Sequence, residues 1–256
     1  DVYVLDFLNM NIKCFRKLRL LTVFNRLVGL IRTPSFWNYR ALAIQRNISD
    51  STLEKYKLFY NENFKYFSQY FNNVDDIDLF VAGSDQVWNI QMPNLHYVFF
   101  MRFAPRKKRV SYAASFGGNI IPQYNRKQLK KYLLGINKIS VREESGKDIV
   151  HKSCGKDATV VLDPVLLAGV DFWDKHIEKY RSKFNGKRYI FCYFLDYSPI
   201  MDKTIKLFQK CFSDYEFIIA DTGIDYKNCK KESLNPLEFV AGISEAEYLL
   251  TDSFHA

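Results

Sequence analysis

Short apolar runs, each stopped by a glycine, a proline or a polar cluster, constrain this chain more than any other feature. They fall at Val2–Phe7, Asp78–Ala82, Lys108–Ala114, Lys138–Val141, Thr159–Leu162, Lys187–Phe194, Glu216–Ala220 and Ala246–Leu250. Between them lie stretches with helical spacing, among them Tyr124–Leu134, Glu144–His151, Phe172–Phe184, Met201–Phe212 and a helix opened by Asn235-Pro236. Strand and helix in alternation imply a mostly parallel α/β sheet, because parallel neighbours need a crossover long enough to hold a helix. The rhythm restarts after Asn185-Gly186, the best candidate linker. We therefore read two α/β halves: residues 1–184, with a basic helical region and a linker helix, and residues 185–256.

The net charge of +9 is concentrated at one end. From Phe7 to Ser49 there is no acidic residue, while Lys13, Arg16, Lys17, Arg19, Arg26, Arg32, Arg40 and Arg46 contribute +8. Ile12, Phe15, Leu20, Phe24, Leu27, Val28 and Ile31 recur there at helical intervals. Such a basic amphipathic helix either packs its apolar face on the core with its charges solvated, or lies on an anionic membrane surface. Nucleic acid is not expected as a partner, since no recognisable binding fold surrounds these charges. A second amphipathic pattern, Tyr56, Phe59, Tyr60, Phe64, Phe67 and Phe71, reads as an aromatic core stripe.

No apolar run reaches the roughly 18–20 residues of a spanning helix, and the opening Asp1-Val-Tyr-Val-Leu-Asp6 has no signal-peptide character. The chain reads as a segment of a longer protein. Five cysteines (Cys14, Cys154, Cys192, Cys211 and Cys229) form no CxxC pair and have no metal-like spacing to the histidines. Reduced thiols, a cytoplasmic location and no metal site are expected.

The candidate chemistry clusters at strand ends. Asp78-Leu-Phe-Val-Ala-Gly-Ser-Asp-Gln-Val-Trp-Asn89 runs from a buried strand into Gly83, then Ser84, Asp85 and Gln86, with Asn89 behind. Glycine lets a ligand approach the backbone, and the side chains offer donors and acceptors; the alternative is a turn whose Ser and Asp cap a helix. Arg142 ends another strand and has the planar fork for a carboxylate or phosphate, or forms a surface ion pair with Glu143 or Glu144. Asp163-Pro164 stops a third strand, its carboxylate facing a cleft or capping a turn. Thr251-Asp-Ser-Phe-His255 reads as a strand-to-helix junction, with Asp252 or Ser253 as cap and His255 in the first turn. Lys107, Lys108 and Arg109 read as solvated surface charge.

In order and spacing, that first motif, Arg109-Val-Ser-Tyr-Ala-Ala-Ser-Phe-Gly117, Ser140-Val-Arg-Glu-Glu-Ser145, Val161-Leu-Asp-Pro-Val-Leu-Leu167 and Leu250-Thr-Asp-Ser-Phe-His255 resemble the polysaccharide pyruvyl transferase family. The resemblance runs from about Asp75 to Ala256. It implies two Rossmann-like halves in a GT-B-like arrangement, both truncated in this chain. It also implies transfer of the pyruvyl group of phosphoenolpyruvate onto two sugar hydroxyls, forming a ketal, with no metal or other cofactor. The acceptor would be a glycan or lipid-linked glycan, met in the cytoplasm or at the inner membrane face. On this reading His255 and Asp85 are catalytic, Arg142, Ser253, Ser84 and Gly83 bind the donor, and Gln86, Asn89 and Asp163 bind the acceptor. Many relatives carry Arg where Ser253 stands, so this loop has one cation fewer for phosphate. The alternatives are a sugar-nucleotide glycosyltransferase of the same fold and a non-catalytic glycan-binding domain.

Overall fold

The computed structural model describes residues 48–63, 76–92 and 95–256. The expected strand at Val2–Phe7, nearly all of the basic region and the Phe64–Phe71 end of the aromatic stripe lie outside the described residues. Contacts divide the chain into two units. The described part of the first lies within Lys65–Leu167, and that of the second within Ala43–Phe64 and Ala168–Ala256. The first described helix, α1 (Asp50–Asn63), thus groups with the second unit.

In the first unit β1 (Phe80–Ala82) pairs in parallel with β2 (Arg109–Ser111), Phe80 opposite Arg109. Helix α2 (Gln123–Leu133) leads to β3 (Ser140–Val141), and α3 (Glu144–Cys154) to β4 (Thr159–Val160), which pairs in parallel with β3. Parallel bridges Val110–Lys138 and Ala114–Val141 join the two ribbons. Two serines complete the junction: Ser111 Oγ donates to Ser140 O (2.9 Å), and Ser140 Oγ donates to Ser111 O (2.8 Å). Four strands therefore follow one another in chain order, with all carboxyl ends on one edge.

Trp88 anchors the core of this unit. It is fully buried, stacks on Phe100 at 5.1 Å, and donates its indole N–H to Phe99 O (2.9 Å). Arg109 corrects the expectation of solvated charge. It is buried, and its guanidinium donates to the carbonyls of Ala104 (2.7 Å from Nε) and Arg102 (3.2 Å), tying down the loop before β2. Burial, reinforced by Arg102 and Arg106, lowers its affinity for the proton.

The second unit holds β5 (Tyr189–Tyr193), α5 (Pro199–Cys211), β6 (Glu216–Ala220), β7 (Lys230–Glu232), α6 (Pro236–Ser244) and β8 (Tyr248–Thr251). Its all-parallel sheet has the order β7-β6-β5-β8. Both faces of the central strands are covered. Tyr189 and Phe191 join one core with Ile177, Phe184 and Ala241; Ile190, Cys192 and Phe194 join another with Ile205 and Ile219. This two-sided burial explains the continuous apolar run of β5. Strand β7 escaped the sequence reading because Lys230-Lys231-Glu232 carries no apolar signal; it is an edge strand, held by backbone pairing to Ile218–Ala220. Asn235 opens α6 with a capping box, its side chain accepting from Leu237 N and Glu238 N at 2.9 Å.

After β4 the chain forms α4 (Pro164–Arg181), broken at Gly169, whose φ of 71° only glycine adopts at little cost. The change of unit, between Leu167 and Ala168, adjoins this break rather than the expected boundary at residue 185. The physical reason is packing: Ile177, Tyr180 and Phe184 belong to the core of the second sheet. Among the described residues, no helix is long and apolar enough to cross a membrane.

Gly242 in α6 sits against β5 so closely that an added Cβ would lie 2.7 Å from Phe191 Cε2 and 3.1 Å from Phe184 Cζ. Both rings are fully buried and have little room to shift. Gly242→Ala is expected to cost about 1–3 kcal/mol despite its better helix propensity, measured as a lower urea midpoint. An unchanged midpoint would show that the two rings yield freely.

Candidate functional site

The carboxyl edge of the first sheet brings four of the expected residues together. Beyond β1 the chain turns through Ser84 and Asp85, and Asp85 sits in the left-handed region at φ 68°. Its carbonyl accepts from Ser115 N (2.9 Å), which locks the turn against the end of β2, where Ala113 is also left-handed at φ 53°. Such backbone costs of order 1 kcal/mol or more per residue and concentrates at functional sites. Arg142 follows β3, and Asp163 follows β4. Ser84 Oγ donates to Asp163 Oδ2, and Arg142 Nη1 donates to the same oxygen at 3.0 Å.

Asp163 is therefore a holding group rather than an open acceptor ligand. Its side chain is 3% exposed, and its other oxygen accepts from Val165 N (3.0 Å), capping the start of α4. Arg142, itself 6% exposed, also donates from Nε to Glu143 Oε1 (2.8 Å) and faces Asp85 Oδ1 from Nη2 at 3.5 Å. Burial lowers the affinity of its guanidinium for the proton, but the hydrogen bonds to Glu143 and Asp163 and the charges of Glu143 and Asp85 outweigh it, so the net shift is upward. The contact with Asp85 differs in kind from the others. It is long, and Asp85 is 66% exposed, so water screens it and it adds little.

Gln86 and Asn89 lie beside this cluster but turn toward each other. Asn89 Nδ2 donates to Gln86 Oε1 (2.9 Å), and both side chains crowd Gly117, where an added Cβ would meet Gln86 Oε1 at 2.9 Å. Gly117 has a φ of 63°, so the loop after β2 is glycine-dependent twice over. Gly83 is exposed at the strand end with open space beside its Cα. Trp88, in the same motif, belongs wholly to the core.

In the second sheet the order β7-β6-β5-β8 changes direction between β5 and β8, a place where open parallel sheets bind ligands. Asp252 lies there, accepting from Leu195 N (2.8 Å) and so joining the ends of the two strands. Thr251 Oγ1 accepts from Ser253 N (3.0 Å) and Ser253 Oγ from His255 N (3.3 Å), local hydroxyl turns that follow β8. His255 is exposed, edge-on to Phe254 at 5.2 Å.

Sequence reasoning passed over Asp221, which ends β6 as Asp85 and Asp163 follow β1 and β4. Its Oδ2 accepts from Ser49 N (2.9 Å) and Thr52 Oγ1 (2.8 Å), fixing the N-terminus of α1, and Oδ1 accepts from Gly223 N (3.1 Å). A cavity of about 290 Å3 adjoins it, walled by Thr52, Tyr56, Tyr193, Thr222 and Phe239. The signal was available in Ala220-Asp-Thr-Gly223, a strand ending in an acid and a glycine. Among the described residues, no group of three or more His, Cys, Asp or Glu is arranged to hold a metal ion, and the four described cysteines are free thiols.

Parallel α/β units with acids, an arginine and hydroxyls gathered at strand carboxyl ends define an enzyme-like architecture. The chain belongs to the polysaccharide pyruvyl transferase family, whose family model matches residues 23–256, and it is a transferase of that kind. No curated protein and no solved structure matches it.

Burial raises the Asp221 carboxyl, but hydrogen bonds from Ser49, Thr52 and Gly223 outweigh it and hold it below the ordinary range. A depressed carboxylate stabilises the fold above its unfolded pKa, near 3.9, and that contribution fades as pH falls toward the lowered value. Asp221→Asn is expected to lose about 1–3 kcal/mol near pH 7, with the gap to the parent closing below about pH 4. Urea titrations across pH would show the convergence; a gap constant from pH 7 to pH 3 would contradict it.

Proposed function

We propose that this transferase moves the pyruvyl group of phosphoenolpyruvate onto two hydroxyls of a glycan, forming a cyclic ketal and releasing phosphate. The family supports a polysaccharide acceptor. The observation that carries the rest is Arg142, set at the carboxyl end of β3 by the buried Asp163, with a long contact to the exposed Asp85.

The reaction needs a proton on the methylene carbon of the enol, a cationic carbon open to a hydroxyl, and departure of phosphate as the second hydroxyl attacks. An entering donor carboxylate can take the place of Asp85 on Nη2, because that contact is weak. Asp85, released and water-accessible, is then the base for an acceptor hydroxyl. Ser84 and Gly83 would line the donor, and Gln86 and Asn89 the acceptor. His255 and Ser253 belong to the other unit. A GT-B-like pairing of two Rossmann-like halves is part of this proposal. So is a cytoplasmic reaction on a lipid-linked glycan, with the basic Phe7–Ser49 segment drawn to an anionic membrane surface.

The test is phosphate release from phosphoenolpyruvate by the full-length protein against a panel of glycans, with sugar nucleotides as the competing donors. Dependence on both phosphoenolpyruvate and a glycan supports the reading; turnover with a sugar nucleotide alone overturns it. Arg142→Lys is expected to raise the KM for phosphoenolpyruvate by about tenfold or more while changing acceptor KM little, since a point charge does not reproduce the guanidinium fork. His255→Ala should lower kcat if the imidazole transfers the proton, or raise donor KM if it binds phosphate. If neither constant moves in either variant, these residues do not form the donor site.

A further inference from the structure

A cavity of about 770 Å3 in the first unit lies between α2 and α3, and none of Ser84, Asp85, Arg142 and Asp163 lines it. Helix periodicity builds its walls. Arg126, Lys127 and Lys130 come from one stripe of α2, and Asp148 and Lys152, four apart, from one stripe of α3. Four cations against one carboxylate leave a local charge of +3. Lys152 lies 3.5 Å from Asp148, but among the described residues no carboxylate comes within 4.0 Å of Arg126, Lys127 or Lys130. Arg126 reaches only the carbonyl of Ile121, at 3.4 Å from Nε.

Position gives this groove a direction. One wall begins at Asn119, two residues beyond the Gly117 against which Gln86 and Asn89 pack. Ser145, on the opposite wall, stands three residues beyond Arg142. The groove therefore opens close in sequence to the sheet edge assigned above to substrate, and continues along the helices to Lys130 and Lys152.

We propose that this groove holds the charged stretch of an acidic glycan acceptor, a sugar chain bearing carboxylate or phosphate groups, and leads it toward Ser84 and Arg142. The inference rests on the reading of that edge as the acceptor site. Clustered, unneutralised cations in a concave surface attract an anionic chain. No aromatic ring lines the groove, so it offers single-stranded nucleic acid no stacking platform. A concave cleft also fits a chain better than the broad face of a bilayer.

The test compares binding of an oligogalacturonate with a neutral oligoglucan of equal length to the intact chain, at low and at raised salt. The parent is expected to prefer the acidic oligomer by about tenfold, with the preference shrinking as salt rises. Combined Arg126→Gln, Lys127→Gln and Lys130→Gln should abolish most of that preference. All three side chains are exposed, and an unchanged melting temperature verifies the fold. Equal binding of the two oligomers, a preference retained by the triple variant, or stronger binding of a single-stranded oligonucleotide or anionic vesicles would overturn the proposal. Binding is read apart from turnover. Loss of phosphoenolpyruvate turnover with the preference intact would count against the reaction alone, and the converse against the groove alone.

Discussion

Every described strand pair is parallel, and that constraint sends all the carboxyl ends of each sheet to one edge. A parallel strand has no tight turn to its neighbour, so each ends in a loop that must be stopped, turned and capped. Those tasks select the same residue types that bind ligands: glycine for the turn, serine, threonine and aspartate for the cap. In the first sheet one carboxylate does several of these jobs. Asp163 caps α4 through one oxygen and with the other holds Ser84, from the end of β1, and Arg142, from the end of β3. Three strand ends meet on a single side chain.

The energetics rank the contacts of Arg142. Its pair with Asp163 is almost wholly desolvated, and removing one member of such a pair costs about 3–5 kcal/mol because the other charge is stranded. Asp85 sits at the opposite extreme, exposed and 3.5 Å away, in the range where ion pairs contribute about 0–1 kcal/mol. Glu143 lies between, at 2.8 Å and 38% exposed. One guanidinium thus has one tightly held contact and, in Asp85, one loosely held contact. A freely rotating arginine would first have to be ordered by the ligand, at a cost in side-chain entropy of up to about 2 kcal/mol; here Asp163 has already ordered it.

The parallel α/β class was legible because the apolar runs and their stops are strong signals; β5 and β6 read as strands, and the structure shows why their runs are so apolar, cover on both faces. Arg142 was legible as a strand-end arginine. Asp163 was half legible: its place at a strand end could be read, but the choice between a cap and a ligand depended on Ser84, 79 residues away. Asp221 was missed because its partners, Ser49 and Thr52, stand some 170 residues earlier. Strand β7 was missed because an edge strand needs a backbone partner more than a hydrophobic pattern. Arg109 was misread as surface charge because its partners are carbonyl oxygens, which leave no mark in a sequence.

The charge balance of the Arg142 cluster bears on how a donor with two anionic groups is met. Among the described residues, Asp85, Glu143 and Asp163 all stand within 3.5 Å of the one guanidinium, three carboxylates to one cation. A dianion approaching it is repelled unless one carboxylate withdraws, and Asp85 is the one held least. On the proposed reading, its withdrawal would offer Nη2 to the donor carboxylate and leave Asp85 near the acceptor hydroxyl it deprotonates.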